Sequence, residues 1–210
     1  FPADALGYMP GATVEWVESN WSLRGGYFAV VKNPNGTAID GSLENAGSGT
    51  AEIEHRHHWG ERTGTVRLLG YLTQAKMGNF REALARPDHA IAATRDYRTR
   101  VGFGVNLEQE LSPQLGAFAR LGWNDGQTES WMFTEVDATA TVGVSVRGDA
   151  WHRADDTAGL GLALNEISSA HEDFLAAGGE GEEPGRLPHL LDLWQEHRER
   201  RPGPVAVESA

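Results

Sequence analysis

Residues 100–123, "RVGFGVNLEQELSPQLGAFARLGW", alternate apolar and polar side chains on both sides of a Ser-Pro turn. The apolar positions of the first arm are Val101, Phe103, Val105, Leu107 and Leu111. After the turn at Ser112 and Pro113 the apolar positions are Leu115, Ala117, Ala119, Leu121 and Trp123. Alternation with a period of two predicts a β-hairpin. Each arm has about ten residues, close to the ~9–11 that a tilted strand needs to cross a bilayer.

The composition of the 210-residue chain excludes several classes of protein. The net charge of −12 argues against nucleic acid as a partner, because the basic surface that binds phosphates is missing. The chain has no cysteine, so it has neither disulfides nor thiolate metal sites. No apolar run reaches the ~18 residues of a transmembrane helix, a test that does not detect membrane-spanning strands.

The same alternation recurs along the chain and predicts about eight strands. Besides the two arms of the hairpin, the strand-like stretches are residues 11–17, 21–31, 50–59, 65–77, 138–148 and 157–167. Residues 18–20 are a turn, and residues 33–41 are a loop by their Pro, Gly and Asn content. Two short helices are also predicted, one from Asn79 as N-cap to Pro87 and one over residues 168–177. The pattern predicts an all-β, antiparallel fold with two short helical insertions.

The character of the sequence changes at Glu180. Residues 180–210 lack the alternation, cluster like charges and contain one helix-forming stretch at 188–200. We therefore expect residues 1–179 to form one domain and residues 180–210 to be a separate tail, disordered or with a short helix. A frameshift would account for the change.

Five segments, in order, resemble the OprB family of carbohydrate-selective porins. They are "FPADALGYMPGATVEWVESNWSLRGGYF", "EHRHHWGERTGTVRLLGYLTQAKMGNFREAL", "YRTRVGFGVNLEQEL", "GAFARLGWNDGQTESWMFTEVD" and "HRADDTAGLGLALNEISSAHEDFLAAGG". The resemblance covers residues 1–179. It implies a sixteen-stranded outer-membrane barrel of a Gram-negative bacterium, of which this chain is about half, from the C-terminal side. It also implies passive diffusion of mono- or oligosaccharides through a water-filled channel, with no cofactor and no chemical step.

If the apolar face of such strands meets lipid, the other face lines water. The polar residues predicted to line the pore and contact sugar are Arg24, Glu52, Glu54, Arg67, Asn106, Glu108, Glu110, Arg120, Asn124 and Arg147, with Glu15 and Arg56 on the same face. Carboxylates, amides and guanidinium groups exchange hydrogen bonds with sugar hydroxyls. A second interpretation is that these charges pair with one another, hold the wall rigid and set only pore size and ion preference.

Other interpretations remain open from the residues alone. A soluble β-barrel that binds a small molecule would point the apolar face into a closed core. Glu108 and Glu110 have a spacing like that of paired glycosidase carboxylates, although Glu52 and Glu54 repeat it on another strand. His55 and His57 would need a third ligand to hold a metal, and a position near the membrane interface explains them equally well. Whether the barrel forms homo-oligomers is not predicted.

Overall fold

The computed structural model describes residues 9–33, 38–42, 44–130 and 136–179. Within these residues eight strands form a single antiparallel sheet in sequence order. The strands are β1 (Gly11–Val17), β2 (Trp21–Phe28), β3 (Gly47–Trp59), β4 (Arg62–Met77), β5 (Asp96–Glu110), β6 (Leu115–Asn124), β7 (Ala138–Arg147) and β8 (Thr157–Glu166). The predicted all-β class and the number of strands are confirmed.

Each strand pairs with the next in a register that keeps like side chains on one face. Val105 pairs with Leu121, and Leu121 pairs with Ala140. One position along, Asn106 pairs with Arg120, and Arg120 pairs with Thr141. A slip by one residue would exchange the two faces, so the alternation in the sequence specifies this register.

Several strands are longer than the alternation predicts. β5 begins at Asp96 rather than at residue 100, and β4 begins at Arg62, directly after the tight turn at Gly60. Gly60 has φ +63°, a left-handed conformation that glycine adopts without steric cost. The extra residues Asp96 to Thr99 were missed because polar side chains there hide the period of two, although their backbone continues the pairing with β4.

Both predicted helices are present. Helix α1 (Phe80–Leu84) is capped by Asn79, whose side-chain oxygen accepts a hydrogen bond from the Glu82 N–H at 3.0 Å. Helix α2 (Ser169–Ala176) is capped by Ser168, which accepts from the His171 N–H at 3.1 Å. Neither has the length or hydropathy needed to cross a bilayer, and the same holds for every helical segment in the described ranges.

The strands are joined by short turns at one end of the sheet and by longer segments at the other. Residues 18–20, 60–61 and 111–114 make the short turns, and the connection between β7 and β8, which contains a 3-10 helix (Gly148–Trp151), lies at the same end; we call this end the turn end. The long segments between β2 and β3, between β4 and β5 and between β6 and β7 lie at the opposite, loop end, where α1 and α2 also lie.

The buried hydrophobic residues lie at the loop end, in two small clusters. One contains Val30, Val31, Ala46, Ala75 and Met77. The other packs Phe80 and Ala83 of α1 and Ile91 against Ala170 and Phe174 of α2. The first cluster fastens the segment between β2 and β3 to β4, and the second packs the segment between β4 and β5 against α2. The predicted tail and its helix at 188–200 lie outside the described residues.

Candidate functional site

One face of the sheet is apolar and open. Along all eight strands its large side chains are exposed to the surroundings, from Val14 (71%) and Trp16 (60%) on β1 to Leu160 (78%) on β8. Within the described residues no element packs over them. In water such a surface would be costly, since each exposed apolar side chain forfeits about 1.5–3 kcal/mol of burial. A lipid environment removes this cost, and the predicted lipid-facing residues Val101, Phe103 and Leu107 all lie on this face.

The opposite face is polar, and at the loop end the long segments pack against it. Arg100 on β5 is 9% exposed, whereas its neighbour Val101, on the other face, is 44% exposed. Ala75 and Met77 on the polar face of β4 are fully buried. The long segments therefore fold over the polar face and leave the apolar face open.

Charged side chains on the polar face form a connected row across five strands, which we call the charge ladder. Its members are Glu15, Arg24, Glu52, Glu54, Arg56, Arg67 and Glu108. Arg24 of β2 donates to Glu15 of β1 at 2.6 Å and to Glu52 of β3 at 2.7 Å. Arg67 of β4 donates to Glu108 of β5 at 3.0 Å. The ladder forms because the register places side chains of opposite charge directly across from one another on neighbouring strands, as with Glu15 and Arg24 or Arg24 and Glu52.

Glu54 is the most connected member of the ladder. Its carboxylate accepts hydrogen bonds from Arg24 at 2.9 Å, from Arg67 at 2.7 Å and from Arg56. Arg56 in turn donates to the Ser22 hydroxyl at 2.8 Å and to the Glu18 backbone carbonyl at 2.7 Å. The ladder is thereby tied to the first turn.

The remaining predicted residues on β5 and β6 extend this polar surface. Asn106 lies level with Arg67 on one side and Arg120 on the other, and its buried side-chain oxygen has no hydrogen-bond partner in the described part of the chain. Arg120 lies over the Phe118 ring, 5.1 Å from its centroid. Glu110, at the turn end, accepts from the Thr63 N–H at 3.2 Å and pairs with Arg62 at 3.5 Å.

A pocket of about 330 Å³ opens on the polar face near the turn end. Its side chains come from β4, β5, β6 and β7. They include Thr63, Thr65, Glu108, Glu110, Phe118, Arg120 and Ser145. The pocket brings three of the predicted polar residues together with an aromatic ring that the sequence analysis did not single out. The volume and the mixture of carboxylate, guanidinium and aromatic groups suit a sugar ring.

Two predicted residues lie apart from the charge ladder. Arg147 is at the turn end of β7, where it pairs with Asp149 at 3.3 Å and is largely exposed. Asn124 is buried at the loop end, and its side-chain oxygen accepts from Arg100 at 2.6 Å while its amide donates to the Val136 carbonyl at 3.1 Å. Its amide group therefore serves the packing of the loop end.

That packing depends on a buried polar network that the sequence analysis missed. Arg100 bridges Asn124 and Asp137, the latter at 2.6 Å, and Asp137 accepts from the Ser168 N–H at 2.8 Å. Glu129 makes a two-point bond to Arg95 at 2.7 and 2.9 Å and accepts from the Gly78 N–H. Arg95, Glu129 and Asp137 come from segments without alternation, so periodicity contained no signal for them. Arg100 and Asn124 lie in alternating strands, but alternation does not show which residues they contact.

The geometry supports neither a metal site at His55 and His57 nor a glycosidase-like carboxylate pair at Glu108 and Glu110. The His55 ring packs against Trp21 at a tilt of 36° with ring centroids 4.1 Å apart, and His57 bonds to Gln109 at 3.0 Å, both on the apolar face at the turn end. Across the described ranges, no group of three His, Asp or Glu residues is arranged to hold a metal. Glu108 and Glu110 are ion-paired with Arg67 and Arg62 of β4 and are not free carboxylates.

Comparison with solved structures gives a related fold. The chain matches the structure titled "High pH structure of Pseudomonas putida OprB" with a TM-score of 0.62 and 19% sequence identity. The match covers 82% of this chain and 44% of that one, so the chain spans less than half of the length of that protein. No curated protein sequence gives a significant match.

Comparison with protein families supplies the assignment. Residues 5–194 match the family described as "Carbohydrate-selective porin, OprB family", which is a family of outer-membrane channels rather than enzymes. This range contains all eight strands and both helices and extends past the boundary predicted at residue 179. The chain belongs to the OprB family of carbohydrate-selective porins.

Proposed function

We propose that this chain forms part of the wall of an outer-membrane channel through which sugars diffuse passively. The observation that carries the proposal is the division of the sheet into an open apolar face and a charged face over which loops fold. In a transmembrane barrel the apolar face meets lipid and the polar face lines water. Short turns in such barrels face the periplasm and long loops face the exterior. The turn end of this chain is accordingly the periplasmic end, in the outer membrane of a Gram-negative bacterium.

The polar face supplies the proposed contacts to sugar. A guanidinium group has five N–H donors, and Arg24 and Arg67 use only Nε and Nη1 for their carboxylate partners, so each can still donate through Nη2 to a passing hydroxyl. Arg24, Arg67 and Arg120, with Glu52, Glu108, Glu110 and Asn106, present such groups along the path between the two ends of the sheet. Weak contacts repeated along a wall let a solute enter and leave, and no chemical step is required.

The second function considered, a soluble β-barrel that binds a small molecule, requires the opposite arrangement. Its apolar side chains would fill a closed interior, and its charges would face solvent. Here Leu160, Leu162 and Leu164 of β8 are exposed, whereas Glu54 is 5% exposed. The distribution of burial therefore favours the channel.

Entry of sugars of equal size and different charge tests the proposal. The chain is refolded in detergent and reconstituted into liposomes, and swelling is followed with glucose, glucosamine and glucuronate. We expect glucose to enter fastest, because the paired charges of the wall offer hydrogen bonds without a strong net field. Protein-free liposomes are the control. No swelling above this control, or a folded chain that stays in solution without detergent, would contradict the proposed function.

The division of the chain also stays a prediction that solution measurements can test. We propose that residues 1–179 form the barrel segment and that residues 180–210 are a separate tail. Limited proteolysis of the reconstituted protein is expected to remove the tail and leave a fragment ending near Gly179. A tail that resists protease as well as the barrel segment does would contradict this boundary.

A further inference from the structure

Glu54 differs from every other carboxylate of the charge ladder in its exposure. Its side chain is 6% exposed, whereas those of Glu15, Glu52 and Glu108 are 49%, 24% and 45% exposed. The three arginines around it are 25–35% exposed. Glu54 therefore lies beneath a layer of guanidinium groups, where a solute in the channel would meet the arginines first.

The contacts of Glu54 come from three strands. One carboxylate oxygen accepts from Arg56 of its own strand, and the other accepts from Arg24 of β2 and from Arg67 of β4. Arg67 makes this contact through Nε and uses Nη1 for Glu108. Charge-assisted hydrogen bonds of this kind fix the plane of a guanidinium group as well as its position. Glu54 thus defines the orientation of three cations at once.

We propose that Glu54 is a positioning residue for solute selectivity, which binds no sugar itself and holds Arg24, Arg56 and Arg67 in one fixed row along the channel wall. This inference rests on the proposed channel function. The fixed row presents N–H donors to sugar hydroxyls at set positions. The long arginine side chains therefore lose their conformational entropy when the protein folds and not each time a sugar binds.

Glu54 also sets the net charge of the ladder. The ladder contains three arginines and four glutamates, and Glu54 is the one carboxylate of the ladder that touches all three of the arginines. Its loss leaves the arginines and the remaining glutamates equal in number and takes from the arginines the carboxylate that they share. A wall that loses a negative charge prefers cations less, so the relative permeability to anions rises.

Three variants separate geometry from charge. Glu54→Gln removes the charge of the central carboxylate. Glu54→Asp keeps the charge but is shorter by one methylene, so the carboxylate no longer reaches all three arginines. Glu15→Gln is the matched control, because it removes the same charge from the same face at a residue that is half exposed and contacts only Arg24 among the arginines of the ladder.

Sugar entry and ion selectivity are measured for each variant in the reconstituted protein. We expect both Glu54 variants to lower the initial rate of glucose entry by about fivefold at low concentration, as for the loss of one well-ordered hydrogen bond. Glu15→Gln should retain the wild-type rate. The ratio of chloride to sodium permeability should rise about threefold in Glu54→Gln and stay unchanged in Glu54→Asp.

A second measurement reads the positioning without any transport. The Arg67 Nε–H bonded to Glu54 should give a resolved, slowly exchanging NMR signal in the folded protein in detergent. We expect this signal to vanish in both Glu54 variants and to persist in Glu15→Gln, in which both bonds of Arg67 are kept.

The outcomes distinguish this inference from the proposed function. If the Arg67 signal persists in Glu54→Gln, or if Glu54→Asp admits glucose at the wild-type rate, the positioning role is overturned. If the wild-type protein admits no sugar, the proposed channel function and the selectivity role both fail, while the arginine signal still decides whether Glu54 orders the row.

Discussion

Asp137 connects the loop end of the sheet to helix α2. Its carboxylate pairs with Arg100 at 2.6 Å, accepts from the Ser168 N–H at 2.8 Å and lies 3.4 Å from the His171 ring nitrogen. Asp137 thereby joins β5 to the start of α2, and Arg100, Asp137 and His171 are buried. Because a buried charge that loses its partner costs more than an exposed one, this carboxylate stabilises the loop end more than any pair on the surface.

Asp137→Asn is expected to lower the free energy of unfolding of the loop end by about 3 kcal/mol, since Arg100 would stay buried without its anion. Hydrogen exchange of the α2 amides in detergent measures the change. Asp149→Asn is the control, because its pair with Arg147 is exposed and contributes under about 1 kcal/mol. Equal protection of α2 in the two variants would contradict the prediction.

The same carboxylate predicts a dependence on pH. Burial alone raises the pKa of Asp137, but the hydrogen bonds with His171 and the Ser168 N–H and the charge of Arg100 outweigh it, so the pKa lies below its usual range. The stabilisation is therefore complete above the unfolded pKa of about 4 and is lost as the pH falls through the lower folded value.

NMR signals of α2 should accordingly broaden on acidification below pH about 4. Asp137→Asn should abolish this step, because the titrating group has been removed. An unchanged acid transition in that variant would show that another group controls the loop end.

At the scale of the strand, adjacent residues of β7 have opposite surroundings. Val142 is 55% exposed on the apolar face between Ala119 and Leu162, and Thr141 lies on the polar face beside Arg120. The backbone, strand and depth are the same for both residues. The two positions therefore separate the effect of the face from every other local effect.

Val142→Arg should destabilise the protein by about 2–4 kcal/mol in a bilayer, the cost of an arginine on the lipid face near the midplane. Thr141→Arg should be tolerated, since the polar face is hydrated. Urea unfolding of the protein in liposomes, followed by tryptophan fluorescence, gives both values. Similar stability of the two variants would contradict the assignment of lipid to the apolar face.

At the scale of the whole molecule, β1 and β8 are the two edges of the sheet. Within the described residues each pairs on one side only. Unpaired backbone groups in lipid cost several kcal/mol each, so we expect these edges to pair with strands from outside this sheet, which in the reconstituted protein come from a second copy of the chain, and not with each other. Because closed barrels of eight strands also exist, a direct measurement is needed of whether β1 and β8 pair with each other.

Disulfide trapping tests the edges in a chain that has no native cysteine. Val14→Cys with Leu162→Cys places one thiol on each edge, and Val142→Cys with Leu162→Cys is the control for strands that do pair. Cross-strand partners lie within the range of Cα distances that a disulfide bridges. We expect an intrachain disulfide in the control alone. Efficient intrachain linkage of the edge pair would show a closed eight-stranded barrel.

The alternation of apolar and polar residues determined most of the fold. It predicted eight strands, the two faces and the turn at Ser112 and Pro113, and cap residues predicted α1 and α2. Periodicity is local, because successive side chains of a strand point to opposite faces whatever the neighbouring strand is. It therefore also placed Glu54, Arg67 and Arg120 on one face.

Partners across strands were decided only by the tertiary structure. The sequence left open whether the charges of the polar face pair with one another, and the register shows that Glu15, Arg24, Glu54, Arg67 and Glu108 do. The buried network of Arg100, Asn124 and Asp137 joins segments far apart in the chain. Such contacts depend on register and on the path of the loops, and a pattern read along one strand contains neither.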